Sequence, residues 1–260
     1  MRRIYSPNAP FKTFWEQTHI CAFDEYETNW VKAAAQIDSK EDLIKHLRRA
    51  RIPHLSVLSR LYSESESILV LGAGDGLNEI NFLEKYPEKE IILSDISTAF
   101  LSKMAEFYPI KALKIDSRDI DQPSSHFDFV YAMAAETFFD DAEFLQMLKE
   151  MTRILKPGGQ MLISSAAVDI PILLSQRLSS RLNRALTSFL PPVPWVLANR
   201  WLLNRKIKLV GYARTTNDFF RLFSKIPDLK LRSLNLEYKE ERDHELHSIA
   251  FVFSKEGSPE

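Results

Sequence analysis

The chain alternates between short apolar runs and segments of helical period. SILVLG (67–72) is apolar without interruption, which suits a strand buried on both faces. EIILSD (90–95), KALKID (111–116), FDFVYAM (127–133) and QMLISSA (160–166) are further strand candidates. Between them lie helical stretches at about 77–86, at TAFLSKMAEFY (98–108) with Ser97 as its cap, and at DAEFLQMLKEMTRILK (141–156). The last carries Phe144, Leu148, Met151 and Leu155 on one face and ends at Lys156-Pro157-Gly158-Gly159, a stop and turn signal. Strands alternating with helices predict βα units and a parallel sheet covered on both faces. LKLRSLNLEY (229–238) and HSIAFVFS (247–254), separated by a charged stretch, read as a closing antiparallel pair. Residues 1–65 read as helices: Asp38 and Glu41 have capping-box spacing before LIKHLRRA (43–50), and Pro53 opens a short helix through HLSVLSRLY (54–62).

Composition narrows this picture without redirecting it. A chain of 260 residues with 45% apolar and 27% charged residues is an ordinary globular one, with room for one large domain and additions. Cys21 is the sole cysteine, so neither an intrachain disulfide nor a cysteine zinc cluster can form. That usage, with no secretory pattern at the N-terminus and no run near 18 apolar residues, leads us to expect a cytoplasmic protein. The net charge of −1 conceals an asymmetry: residues 66–169 sum to −9, whereas 170–217 hold eight Lys and Arg and no acid. We therefore divide the chain into a helical N-terminal extension (1–65) forming part of a substrate cap, a core (66–169), a basic helical insertion or cap (170–217), and a closing helix with its strand pair (218–260).

Glycine is scarce, with seven in all, and three of them fall at Gly72, Gly74 and Gly76 in ILVLGAGDG. An apolar strand running into such a loop and then a helix predicts a ligand beyond the carboxyl end of the strand, where glycine lets the ligand approach the backbone. The dinucleotide fingerprint would need glycine at 77, which is Leu77. Asp95 ends the second strand, where a carboxylate accepts the ribose hydroxyls of a nicotinamide or an adenosyl cofactor; the alternative is a helix cap. Gly158-Gly159 reads as a structural turn.

Residues 68–165 resemble the core of the class I S-adenosylmethionine-dependent methyltransferases of the small-molecule type. ILVLGAGDG resembles the first motif of that family, LSDIS the second, KIDSRDIDQPSSHFDFVYA the third and fourth, and EMTRILKPGGQMLIS the helix, turn and strand that follow. The resemblance implies a Rossmann-like open α/β sheet of seven strands, mostly parallel with an antiparallel closing strand, and S-adenosylmethionine as cofactor. It implies a cofactor loop at Gly72, Ala73, Gly74 and Gly76, with Asp95 as the ribose-binding acid and Ile96 beside the adenine. It places Asp116 on the acceptor for the adenine amine and Ser117 on a backbone contact to the ring. Met133, at the end of FDFVYAM, joins the cofactor-binding set. One position departs from the pattern: the family usually has Asp or Glu two residues before the first glycine, near the methionine amino group, and here that residue is Val70.

An activated sulfonium asks the protein mainly to position a nucleophile and, for a hydroxyl, to remove a proton. Glu136 follows FDFVYAM and is the candidate base or polar anchor; the alternative is a cap for the helix that starts near Asp140. Cys21 lies far from the core motifs, which argues against pyrimidine C5 methylation, and MAAETFF lacks the Pro-Pro-aromatic pattern of DNA amine methylation. His244 and His247 sit three apart on a strand, on opposite faces, so we expect no metal site.

The expected function is methyl transfer from S-adenosylmethionine to a small, hydrophobic and acidic molecule, on oxygen, under a cap with a positive rim. The alternatives are a non-methylating S-adenosylmethionine enzyme, an NAD-dependent oxidoreductase, and a non-catalytic binding module with peripheral membrane contact through 170–217. A nucleic-acid groove fits less well, because the bases there alternate with aliphatics.

Overall fold

The computed structural model describes residues 2–7, 31–32, 34–47, 54–76, 78–133, 135–165, 207–241 and 244–256. Their elements are β1 (Arg2–Pro7), α1 (Lys40–Leu47), α2 (Leu55–Ser63), β2 (Ser67–Leu71), α3 (Ile80–Lys85), β3 (Glu90–Asp95), α4 (Ala99–Ala105) and β4 (Lys111–Lys114). There follow β5 (Phe127–Met133), a 3-10 turn (Ala135–Phe138), α5 (Asp141–Ile154), β6 (Leu155–Ser165), β7 (Ile207–Ala213), α6 (Thr216–Phe223), β8 (Leu229–Glu241) and β9 (His244–Lys255).

Seven strands form one sheet in the order β4-β3-β2-β5-β6-β9-β8. The first five in that order run parallel, and β9 is antiparallel to both β6 and β8. The order reverses between β2 and β5, and in open α/β sheets ligands bind beyond the carboxyl ends of the strands at such a point. Because side chains alternate along a strand, each central strand feeds two cores. Ile68, Val70, Phe129, Tyr131 and Leu162 pack toward α2, α3 and α4. Leu69, Leu71, Val130, Ala132, Met161 and Ile163 pack toward α5 and α6, with Phe144, Phe219 and Phe223 against Phe251 and Phe253 of β9.

The amino ends of the strands are clamped by Asp128. Its carboxylate accepts from the Ser67 amide at 2.9 Å, the Ser67 hydroxyl at 2.8 Å and Lys156 Nζ at 2.8 Å, so one side chain joins β2, β5 and β6. Those bonds hold its carboxyl down at about 2 against the cost of partial burial. The motif residue Asp128 thus serves the sheet, at the amino ends of its strands.

Several elements differ from the sequence expectation. Residues 2–7, read within a helical extension, form β1, which pairs antiparallel with β7, itself within the stretch read as a helical insertion. Pairing between segments some 200 residues apart leaves no local trace in either. Ser39, and not Asp38, caps α1, its Oγ accepting the Asp42 amide at 3.1 Å. Ser97 does not cap α4: the flanking residue is Thr98, and no side chain bonds the helix end. Residues 170–206, and with them most of the basic insertion, lie outside the described residues. Among the described residues no helix is long and apolar enough to cross a membrane.

Candidate active site

The glycine loop is shaped by left-handed backbone. Gly72, Gly74 and Gly76 have φ of +67°, +58° and +71°, a region that L side chains enter only under strain. Close approach reinforces the choice at two of them. A Cβ on Gly72 would stand 3.0 Å from the Ala135 Cβ, and one on Gly76 would collide with the end of Met104. The loop is tied to β3, since the Ala73 amide donates to the Ser94 carbonyl at 2.9 Å.

Asp95 is the second half of this construction. It is buried, its Oδ2 accepts the Gly74 amide at 2.9 Å and its Oδ1 accepts the Ser97 amide at 2.9 Å. The carboxylate therefore joins the loop after β2 to the loop after β3. Ser97 Oγ, buried one residue beyond Ile96, has no hydrogen-bond partner. A ligand carrying hydroxyls suits a carboxylate and an orphaned hydroxyl side by side.

Asp116 follows β4 on the same side of the sheet, and the Ile115 amide donates to the Asp95 carbonyl at 3.1 Å. Arg118 engages its carboxylate through Nε at 2.9 Å, Nη2 at 2.6 Å and its own amide at 2.9 Å. This holds the Asp116 carboxyl below its usual range, and Arg118 also reaches Glu143 at 2.6 Å. Asp116 thus stands at the carboxyl end of β4 with its oxygens engaged by an arginine that sequence reasoning did not assign. Ser117, Ile96 and Met133 are half-buried at the carboxyl ends of β4, β3 and β5. The fold brings all of these predicted residues to one edge of four adjacent strands.

Glu136 lies in the 3-10 turn after β5, is buried, and has neither oxygen hydrogen-bonded. It is not a helix cap: Asp140 caps α5, accepting the Ala142 and Glu143 amides while Glu143 reaches back to the Asp140 amide. Desolvation pushes the Glu136 carboxyl up to about 7, with the positive charge of Arg214 favouring its charged form in part. Arg214 holds the turn in place. Buried itself, it donates from Nη1 to the Glu136 carbonyl at 2.9 Å, from Nη2 to the Phe139 carbonyl at 2.8 Å and from Nε to Asp141 at 3.1 Å, and it stacks over the Phe144 ring at 4.8 Å. Sequence reasoning counted Arg214 as one more base of a basic segment; its only local signal was a place just ahead of the Thr215 cap of α6.

Comparison with known proteins bears on this geometry. Residues 68–159 match the family described as Methyltransferase domain. The match lies on the strand, loop and helix segments of the core and not on the segments to either side of it. The demethylmenaquinone methyltransferase of Chlamydia muridarum is 30% identical over 102 residues, which are 39% of this chain and 44% of that one. A solved S-adenosylmethionine-dependent methyltransferase of Methanosarcina mazei superposes with a TM-score of 0.56 at 15% identity, over 77% of this chain and 97% of that one. LepI in complex with S-adenosylmethionine gives a TM-score of 0.55 at 16% identity, over 89% of this chain and 58% of that one. These structural likenesses speak to the fold. The chain spans less than two thirds of the length of the curated relatives it matches first. The glycine cradle with Asp95 and Ser97 beside it fits S-adenosylmethionine, the group held by LepI in that structure. Among the described residues no cluster of His, Cys, Asp or Glu could hold a metal ion; the side chains of His244 and His247 lie outside them.

Proposed function

We propose that this chain transfers a methyl group from S-adenosylmethionine to a small, hydrophobic and acidic molecule, on oxygen. The observation that carries the reading is Glu136: a carboxyl out of water, at the carboxyl end of β5, with no hydrogen-bond partner and a value of about 7. A base at this value is half ionised at neutral pH and matched to taking the proton of an acceptor hydroxyl. Arg214 fixes the backbone that presents it.

When bound, the cofactor supplies an activated methyl group on a sulfonium. In this reading the Gly72–Gly76 loop, Ala73 included, holds the methionine and ribose side. Asp95 accepts the ribose hydroxyls, Ile96 flanks the adenine, Asp116 and Ser117 meet its edge, and Met133 closes the site from β5. The acidic and hydrophobic character of the acceptor is inferred from residues 170–217, which combine eight Lys and Arg with apolar stretches.

A second reading has two observations in its favour. Val70 stands where an acid is usual, and one structural neighbour of this fold is described as a pericyclic reaction enzyme. A non-methylating use of the cofactor is consistent with both.

The test has two steps. S-adenosylhomocysteine should raise the unfolding temperature, by about 2.7 kcal/mol of stability at 100 times its dissociation constant, and NAD should not. A labelled methyl donor is then offered with a panel of apolar hydroxy acids. A shift with NAD alone overturns the cofactor assignment; binding without labelled product from any acceptor favours the second reading.

A further inference from the structure

Glu79 is a second buried carboxyl whose environment the cofactor loop leaves unexplained. It follows Gly76 by three residues, and its amide donates to the Gly76 carbonyl at 3.1 Å. Its side chain turns inward. Oε1 accepts the Tyr131 hydroxyl at 2.5 Å, and the Tyr131 and Tyr62 hydroxyls share a hydrogen bond at 2.8 Å. Tyr131 is the register partner of Val70, two residues before Gly72, so the carboxyl of Glu79 lies beside the strand that feeds the loop. The residue is 1% exposed, and Oε2 has no hydrogen-bond partner.

The Asn78 and Glu79 amides favour the charged form of this carboxyl in part, and the titratable groups that face it among the described residues are Asp75 from the loop, Tyr131 from β5 and Tyr62 from α2. Two are neutral phenols and the third is an acid. Among the described residues no Lys, Arg or His pairs with Glu79. Burial and the field of Asp75 push its carboxyl up to about 8. A structural buried acid ordinarily meets a cation or fills its hydrogen bonds. Glu79 does neither, and what it lacks is a positive charge next to the loop.

We propose that Glu79 is the counter-charge for a cationic group of the ligand held by the glycine loop, and that it releases its proton when that ligand binds. The inference rests on the cofactor reading above. It assigns to a residue on the helix side of the loop the negative charge that the strand residue Val70 does not provide. The cation is an ammonium or a sulfonium, and three probes separate the two: S-adenosylmethionine carries both, S-adenosylhomocysteine the ammonium alone, and 5′-methylthioadenosine neither.

Titration calorimetry of the unaltered protein in two buffers of different ionisation enthalpy reads the proton directly. With its carboxyl near 8, Glu79 is about nine-tenths protonated at pH 7, so S-adenosylhomocysteine should release close to one proton per site. Release should fall as pH rises through about 8, and affinity should rise with pH toward about 8 and fall again where the ligand's own ammonium loses its proton. 5′-Methylthioadenosine should release none. Release with S-adenosylmethionine alone identifies the sulfonium as the cation and still supports the proposal. Glu79→Gln should abolish release and weaken S-adenosylhomocysteine about tenfold or more while leaving 5′-methylthioadenosine within about twofold. Binding of both S-adenosyl ligands with no proton release, or equal release by the variant, overturns the role of Glu79 and leaves the cofactor reading standing. No binding of either ligand overturns both.

Discussion

The end of the Met104 side chain occupies the space that a Cβ on Gly76 would need. Two separate costs meet there, because the φ of +71° is itself unfavourable for an L side chain. Gly76→Ala should therefore destabilise the protein by roughly 2–4 kcal/mol, part strain and part overpacking. Adding Met104→Ala to that variant should recover the overpacking share and leave the strain, since the thioether is flexible and the backbone is not. Chemical denaturation of the two single variants and the double variant separates the terms. Full recovery in the double variant would show that the backbone imposes nothing.

Glu136 should act in turnover and not in binding. Glu136→Gln keeps the shape and removes the base, so turnover should drop by roughly 100-fold or more while S-adenosylhomocysteine affinity stays within a factor of about two. In the unaltered protein the active form is the ionised one. Turnover at saturation should accordingly rise with pH through about 7 and then level, and the variant should lack that limb. An unchanged pH profile in the variant removes Glu136 from the chemistry.

Arg214 should matter to both fold and turnover. Its loss leaves two buried carbonyls and Asp141 short of a donor. Arg214→Met should cost roughly 2–4 kcal/mol and lower turnover further than its effect on cofactor affinity. Arg214→Lys restores the charge but not the forked geometry, so it should recover stability in part and turnover less. A variant that loses stability with turnover per folded molecule intact would confine Arg214 to a packing role.

The acids at the two ends of the sheet should shift stability in opposite directions. Asp128, held low by its bonds, stabilises the fold above the usual carboxylate range, and that contribution is lost as pH falls through about 2. Asp128→Asn should weaken the protein at pH 7 and have little effect on ligand binding. Glu79 is the reverse case: its folded value near 8 lies above the unfolded one, so its burial is least costly below about pH 4.5 and costs progressively more up to about pH 8. The difference in unfolding temperature between Glu79→Gln and the unaltered protein should therefore grow in favour of the variant between pH 5 and pH 9. A flat difference across that range would mean that the carboxyl is ionised throughout.

The sheet was legible because buried strands and amphipathic helices leave a periodic signal, and the loop was legible because glycine marks left-handed backbone. Asp95 was readable from its place at a strand end. Glu79 was not. Near the start of a helix an acid reads as an exposed, dipole-favoured residue, and only the fold shows that it turns inward to Tyr131. Arg214 was hidden for another reason: its partners lie 73 to 78 positions away, beyond any local pattern. The cap of α4 was misplaced because the helix starts one residue later, at Ala99 with Thr98 flanking it, and Ser97 Oγ bonds no amide of the helix end.

The β1–β7 ladder carries an implication for the order of assembly. Arg2 pairs with Ala213, the residue just before Arg214, so the chain must bring together its first strand, its 3-10 turn and its last quarter to complete the acceptor side. The parallel core from β2 to β6 closes over much shorter loops. Loop-closure cost grows with separation, so the cofactor side should form early in refolding and the pocket around Glu136 late. In a refolding experiment the glycine loop would then regain its ligand before Glu136 is withdrawn from water, and binding would return ahead of turnover.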